Sequence, residues 1–160
     1  MVVDEAAVKR ASSVRRAQDW NAAEAVDRVV LDAGDRHLRR VVLTGERGTT
    51  FLVDLAQPAV LRSGDGFVLD DGGMVQVVGQ PEPLLELGAK SPVQFVRLAW
   101  HLGNRHTDVQ FAGDRLRIRR DHVLQEMAAG LGASVASMEA SFDPEPCTPD
   151  QHHHEHRHGR

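Results

Sequence analysis

Histidine is the residue type that stands out. The chain has nine, against two Trp and no Tyr. Five of them fall within seven positions near the C-terminus, at His152, His153, His154, His156 and His158. A neutral imidazole nitrogen suits Ni²⁺, Zn²⁺ and Cu²⁺. A histidine-rich tract can wrap a divalent ion without preformed geometry. A purification tag would be an uninterrupted run, whereas Glu155 and Arg157 break this one. Affinity rises from nickel to copper at any such site, so the tract alone does not choose its metal.

The other four histidines are His37, His101, His106 and His122. Two of them lie in one stretch, Leu98-Ala99-Trp100-His101-Leu102-Gly103-Asn104-Arg105-His106. His101 shares a polar stripe with Gln94 and Arg97 at helical spacing, where a hydrogen-bonded surface histidine is the plain reading. His106 lies past Gly103, which is suited to stop a helix in the left-handed conformation, and it is expected to open a strand. One imidazole is a weak site. It becomes a useful one if a two-fold axis sets a second copy beside it, because isologous contacts pair a residue with itself. Two such ligands leave coordination positions open, which suits an ion that must be released. His122 follows the predicted cap Asp121 and faces away from the helix core. His37, among Arg36, Arg39 and Arg40, reads as an exposed loop histidine. The candidate metal ligands are therefore His106, His122, His101 and the five tail histidines.

Other chemistries find little support. The single cysteine, Cys147, cannot form an internal disulfide and points to a reducing compartment. No GxxxxGK[ST], GxGxxG or HExxH motif occurs. A formal net charge of -4 argues against nucleic-acid binding. The first residues carry an early acidic pair and no apolar run, so no signal peptide is expected. No window approaches the ~20 apolar residues of a membrane span. The expectation is a cytoplasmic binding protein rather than an enzyme. Arg115, Arg117 and Arg119 alternate and should share one strand face, solvated or used to dock an acidic partner.

The elements that must position the histidines divide into two textures. Ser12 to Ala17 reads as a strand. From Val26 to Val78, short β-branched runs are broken by Gly and Asp at Gly34-Asp35, Gly45 to Gly48, Gly64 to Gly66 and Asp70 to Gly73. This predicts an antiparallel all-β unit over residues 1–79, with Pro58 at an edge or bend. Gly79-Gln80-Pro81-Glu82-Pro83 is the predicted linker. Residues 83–143 then alternate. Leu84 to Leu87 is a strand. Ser91-Pro92 starts a helix to about Leu102. His106 to Phe111 and Leu116 to Ile118 are strands. Asp121 caps a helix with Leu124, Met127, Ala128 and Leu131 as its core stripe. Ala133 to Phe142 is the last strand. The order βαββαβ is the ferredoxin-like one, so the predicted class is α+β. Residues 144–160 contain Pro144, Pro146, Pro149 and the polar histidine tract, and are expected to be a flexible tail.

Trp100-His101-Leu102-Gly103-Asn104-Arg105-His106, Asp121-His122-Val123-Leu124 with Met127, Gly130-Leu131-Gly132-Ala133 and Phe142-Asp143-Pro144-Glu145 resemble the UreE family of urease accessory nickel chaperones. The resemblance spans roughly residues 12–145 and is most specific in the His-Leu-Gly-Asn-Arg-His run. It implies an N-terminal β domain that binds partners and a ferredoxin-like metal-binding domain that forms a homodimer. It implies that His106 binds Ni²⁺ with its symmetry mate and that His122 is a peripheral ligand. Some members of the family carry a further histidine where this chain has Arg120. In other members C-terminal histidines complete the central site. The resemblance also implies delivery of nickel to apo-urease together with accessory proteins that include a GTPase. A general histidine-rich nickel or zinc store is the alternative.

Overall fold

The structure, a computed structural model, describes residues 8–146. Ten strands and two α-helices form two sheets, the first all-strand and the second covered by helices. The class is α+β, with a mostly-β N-terminal half and a C-terminal β/α half.

The first sheet contains β1 (Lys9–Arg15), β2 (Ala25–Leu31), β3 (His37–Thr44), β4 (Thr50–Val60), β5 (Gly66–Leu69) and β6 (Met74–Gly79). Their order across the sheet is β2-β6-β5-β1-β4-β3. The unit was expected to be antiparallel, and this needs correction. The hairpins β3–β4 and β5–β6 are antiparallel, but β1 runs parallel to β4 and β2 parallel to β6. Turn residues report only the hairpins. The parallel neighbours lie some tens of residues apart, where no local signal records them. The first strand also starts earlier than expected, because Ala11 is needed in the core, fully buried between β4 and β5. Pro58 lies in a bulge of β4, where partners jump from Asp54 to Ala59 opposite Arg40 and Leu38. A residue without an N–H is tolerated there. Alternate residues point inward and close a core around Phe51, Val53, Phe67, Leu69, Val75 and Val77. The rings of Phe51 and Phe67 are 5.4 Å apart.

The loop after β3 closes on the edge strand β2 around a buried carboxylate. Asp27 on β2 is buried and accepts from the backbone N–H of Arg47 (2.9 Å) and Thr49 (3.0 Å), in the loop after β3, and of Arg28 (2.7 Å). Burial pushes the Asp27 carboxyl up, but these amide donors outweigh it and hold it at about 2. Gly45 passes so close that a Cβ would stand 2.3 Å from the carboxylate.

The predicted linker is nearly absent as irregular chain. β6 ends at Gly79, β7 (Pro81–Gly88) begins two residues later, and only Gln80 intervenes. The prolines fit because β9 (Arg115–Arg119) pairs with β7 only from Leu84 onward. The Pro83 carbonyl accepts from Arg120 N–H on that side, so the missing Pro83 N–H faces past the end of β9.

The second sheet is β10-β7-β9-β8, with β8 at Gln110–Ala112 and β10 at Ser134–Ser141, all antiparallel. With α1 (Pro92–Asn104) and α2 (His122–Gly130) the element order is the predicted βαββαβ. Ser91 caps α1, accepting from Gln94 N–H at 3.2 Å. Asp121 caps α2, accepting from Leu124 N–H at 2.9 Å. Both helices cover one face of the sheet. Leu85, Leu87, Leu116 and Ile118 meet Leu98, Leu102 and Ala128 there, all fully buried. Leu124, Met127 and Leu131 pack against them as the predicted stripe. On the other face Arg117 pairs with Glu86 at 2.9 Å, and Arg119 with Asp108 at 2.8 Å and Glu82 at 3.5 Å. Those arginines share a face, as the alternation predicts, but their charges are balanced locally.

Arg36 fastens the two halves together. It is 1% exposed. Its guanidinium donates to the carbonyls of Asp32, Leu61 and Phe142 and pairs with the Asp143 carboxylate. Ala33 N–H also donates to Glu82 at 3.0 Å.

Candidate metal centre

The end of α1 builds the setting of His106. The last turn closes with Thr107 N–H donating to Leu102 O (3.1 Å) and His106 N–H to Gly103 O (3.0 Å). This double bond pattern is the Schellman ending, and it requires a left-handed residue just after the cap Arg105. His106 occupies that place with φ 55°, the one non-glycine residue with positive φ among the described residues. Glycine is the usual occupant. A histidine takes the conformation more readily than most residues, at a cost on the order of 1 kcal/mol.

Two expectations are corrected here. Gly103 does not stop the helix in a left-handed turn: it stays helical, and the helix runs on through Asn104. His106 does not open a strand. It forms the turn, and β8 begins four residues later at Gln110. Gly103 looked like the stop because it can adopt positive φ freely, yet the turn depends on hydrogen bonds formed two residues further on.

His106 is exposed. The chain just after it is held from two sides. Asp108 accepts from Arg119, and Val109 O accepts from Glu145 N–H at 2.7 Å. Asp143 N–H donates to Gln110 Oε1 at 3.0 Å. The last described residues therefore run alongside the segment that follows His106.

His101 lies on α1, half-buried, with its ring edge-on to Trp100 at 5.1 Å. His122 is the first residue of α2 and is 83% exposed, with Nε2 3.1 Å from Glu126 Oε1. Glu126 was not singled out from the sequence, although its place four residues after His122 was a legible signal. His37 is exposed as expected, at the start of β3 rather than in a loop. Among the described residues, no three His, Cys, Asp or Glu side chains gather into a metal-sized cluster. Cys147 and His152, His153, His154, His156 and His158 lie outside the described residues.

Helix α1 carries a second apolar stripe besides its core face. Val93, Val96 and Trp100, at i, i+3 and i+7, are 66%, 66% and 62% exposed. Contiguous exposed apolar side chains of this kind mark contact surfaces.

Comparison with known proteins gives this arrangement a family. Residues 8–80 match the N-terminal domain and residues 82–160 the C-terminal domain of the UreE urease accessory protein. The chain belongs to the UreE urease accessory proteins. It is 53% identical over 136 residues to the urease accessory protein UreE of Rhodopseudomonas palustris strain HaA2, covering 85% of this chain and 63% of that one. It is 54% identical over 136 residues to that of a Bradyrhizobium strain, covering 85% and 66%. It is 44% identical over 150 residues to that of Beijerinckia indica, covering 92% and 86%. The chain thus spans about two thirds of the length of the first two UreE relatives. No helix among the described residues is long and apolar enough to cross a membrane.

Proposed function

We propose that the chain is a nickel metallochaperone, a non-enzymatic carrier that donates Ni²⁺ while the urease metallocentre is assembled. The observation that carries this reading is His106. An exposed imidazole held in a left-handed turn, where glycine would cost less, is a feature that packing does not call for. In this reading nickel is cargo. His106 binds it together with His106 of a second copy, and the pair leaves positions open for transfer. The stripe of Val93, Val96 and Trp100 on the preceding helix supports a homodimer formed through the C-terminal domain. The hydrogen bond from Glu145 to Val109 supports a tail that starts near the site, so that His152 to His158 gather nickel or complete its coordination. His122 is a peripheral ligand, and His101 acts beside the centre from α1, the helix that precedes it. Zn²⁺ or Cu²⁺ can enter the same imidazole sites.

The division of labour follows residues 1–79 for partner binding, 83–143 for metal and dimerisation, and 144–160 for the histidine tail. The partners are apo-urease and the other urease accessory proteins, including the GTPase, in the cytoplasm. The second reading, a histidine-rich nickel or zinc store, rests on the tail alone.

Calorimetric titration of the full chain with Ni²⁺ tests the proposal. The His106→Ala chain should lose the tightest event, with one site lost per pair of chains. Deleting residues 151–160 should lower the total nickel bound. A tightest event unchanged in His106→Ala would overturn the central site. Nickel-loaded protein that fails to speed activation of apo-urease would favour the store. Sedimentation of the Trp100→Glu chain should show a monomer.

A further inference from the structure

We propose that the outer edge of β3 is a docking strand, where an acidic, extended segment of a partner protein pairs with the backbone and continues the first sheet. This rests on the reading of residues 1–79 as the partner-binding half, and it adds the surface used and the chemistry of what lands there. The two edges of the first sheet differ. β2 is covered. Its Arg28 carbonyl accepts from Glu46 N–H at 2.9 Å and its Leu31 carbonyl from Gln80 N–H at 2.8 Å, and the loop after β3 donates to its Asp27 carboxylate. β3 has a strand neighbour, β4, on one side only. Among the described residues, no backbone bond reaches Leu38 to Thr44 from outside the sheet. Arg40 to Thr44 stay in unbroken register with Asp54 to Thr50. They present a regular outer row of donors and acceptors about 17 Å long.

The side chains of this edge select the occupant. Val41 and Val42 point to opposite faces of the strand and are 37% and 42% exposed. An added strand therefore finds an apolar contact on either face. Leu31, Leu38 and Leu43 line a groove beside them, with His37, Arg39 and Arg40 at its rim. Arg40 leans on Asp54 at 3.7 Å. This rim is basic in a chain whose formal net charge is -4. Basic side chains on an open edge repel the same edge of a second copy, which disfavours pairing of β3 with itself. They attract a strand that carries Asp or Glu. A segment alternating apolar and acidic residues meets both demands. Backbone pairing supplies the affinity, and the cross-strand contacts supply the specificity. The other long edge, β10, has Glu139 as its one charged side chain and offers such a segment no attraction.

The experiment uses the full-length, ¹⁵N-labelled chain and a short blocked peptide alternating valine and glutamate. The controls are a valine–lysine peptide and the glutamate peptide N-methylated at alternate amides. The amide signals of residues 38–44 should move with the glutamate peptide and stay still with both controls. Arg39→Glu, folded by an unchanged circular dichroism spectrum, should bind the glutamate peptide about ten-fold more weakly and titrate with Ni²⁺ as the wild type does. The nickel-loaded Arg39→Glu chain should also activate apo-urease more slowly when the other accessory proteins are present. Equal binding of the N-methylated peptide overturns the proposal, because charge alone would then suffice. Signals that move at residues 134–141 instead, no movement at all, or full-rate activation by Arg39→Glu also overturn it. Failure of the carrier reading shows separately, as a wild-type chain that does not speed activation.

Discussion

The two halves of the molecule handle polar side chains in opposite ways. The N-terminal sheet buries three charged residues, Asp27, Arg36 and Asp65, and surrounds each with hydrogen-bond partners. Asp65 accepts from the backbone of Ala17 and Arg62 and from the Arg16 guanidinium. These charges bind loops that no strand ladder reaches. In the C-terminal half the core is apolar throughout, built from Leu, Ile, Ala and their neighbours. His106, His122 and the α1 stripe of Val93, Val96 and Trp100 stand at its surface. Saturated buried charges are structural, because no valence remains for a ligand. Exposed imidazoles without a full set of partners are open to chemistry. A charged residue's place in this molecule therefore says which kind of work it does.

The largest effects test that contrast in the N-terminal half. Arg36→Met removes the guanidinium that the Asp143 carboxylate and the Leu61 and Phe142 carbonyls accept from, and Asp27→Ala strands three backbone N–H groups. Each substitution should destabilise the fold by roughly 3–5 kcal/mol, read from urea unfolding. The folded fraction should still bind the wild-type complement of nickel per chain. A stable variant with altered nickel binding would break the contrast, because it would put a buried charge in the functional machinery.

Acid should then act on the first half through Asp27. The folded Asp27 carboxyl is held at about 2, below its ordinary 3.8, by the Arg47, Thr49 and Arg28 amides that outweigh its burial. A carboxyl lowered on folding stabilises the protein above its unfolded value. That stabilisation, on the order of 2 kcal/mol, is lost as pH falls from near 4 through 2. Urea midpoints measured from pH 5 to pH 2.5 should fall more steeply for the wild type than for Asp27→Asn. Parallel curves would show that Asp27 is not the responsible group.

Much of the C-terminal half was legible in the sequence. Ser91-Pro92 and Asp121 mark their helices because caps act through local backbone donors. The stripe of Leu124, Met127, Ala128 and Leu131 marks a buried face because helical spacing is local too. The N-terminal sheet was legible only in its strands. Its parallel pairs, β1 with β4 and β2 with β6, join residues far apart in sequence. Arg36 gave no sign of its burial, because its partners Leu61 and Phe142 lie 25 and 106 residues away. At the candidate centre the histidine was legible and its conformation was not. The sequence contains a glycine three residues earlier, which drew the helix stop away from the residue that makes it.

The smallest expected effect is the sharpest test of that conformation. His106→Gly removes the imidazole and also relieves a left-handed backbone that favours glycine. His106→Ala removes the imidazole but keeps a Cβ in the same strained turn. If His106 is retained for metal at the expense of stability, the two variants should differ without nickel. The glycine chain should be more stable than the wild type by about 0.5–1 kcal/mol, and the alanine chain should show no gain. Both should lose the tightest nickel event equally. Thermal unfolding of the three metal-free chains reads the first difference and calorimetry the second. Equal stability of the glycine and alanine chains would mean that the turn carries no strain. The position of His106 would then reflect only where α1 ends, and the case that this residue is held for chemistry would lose its structural support.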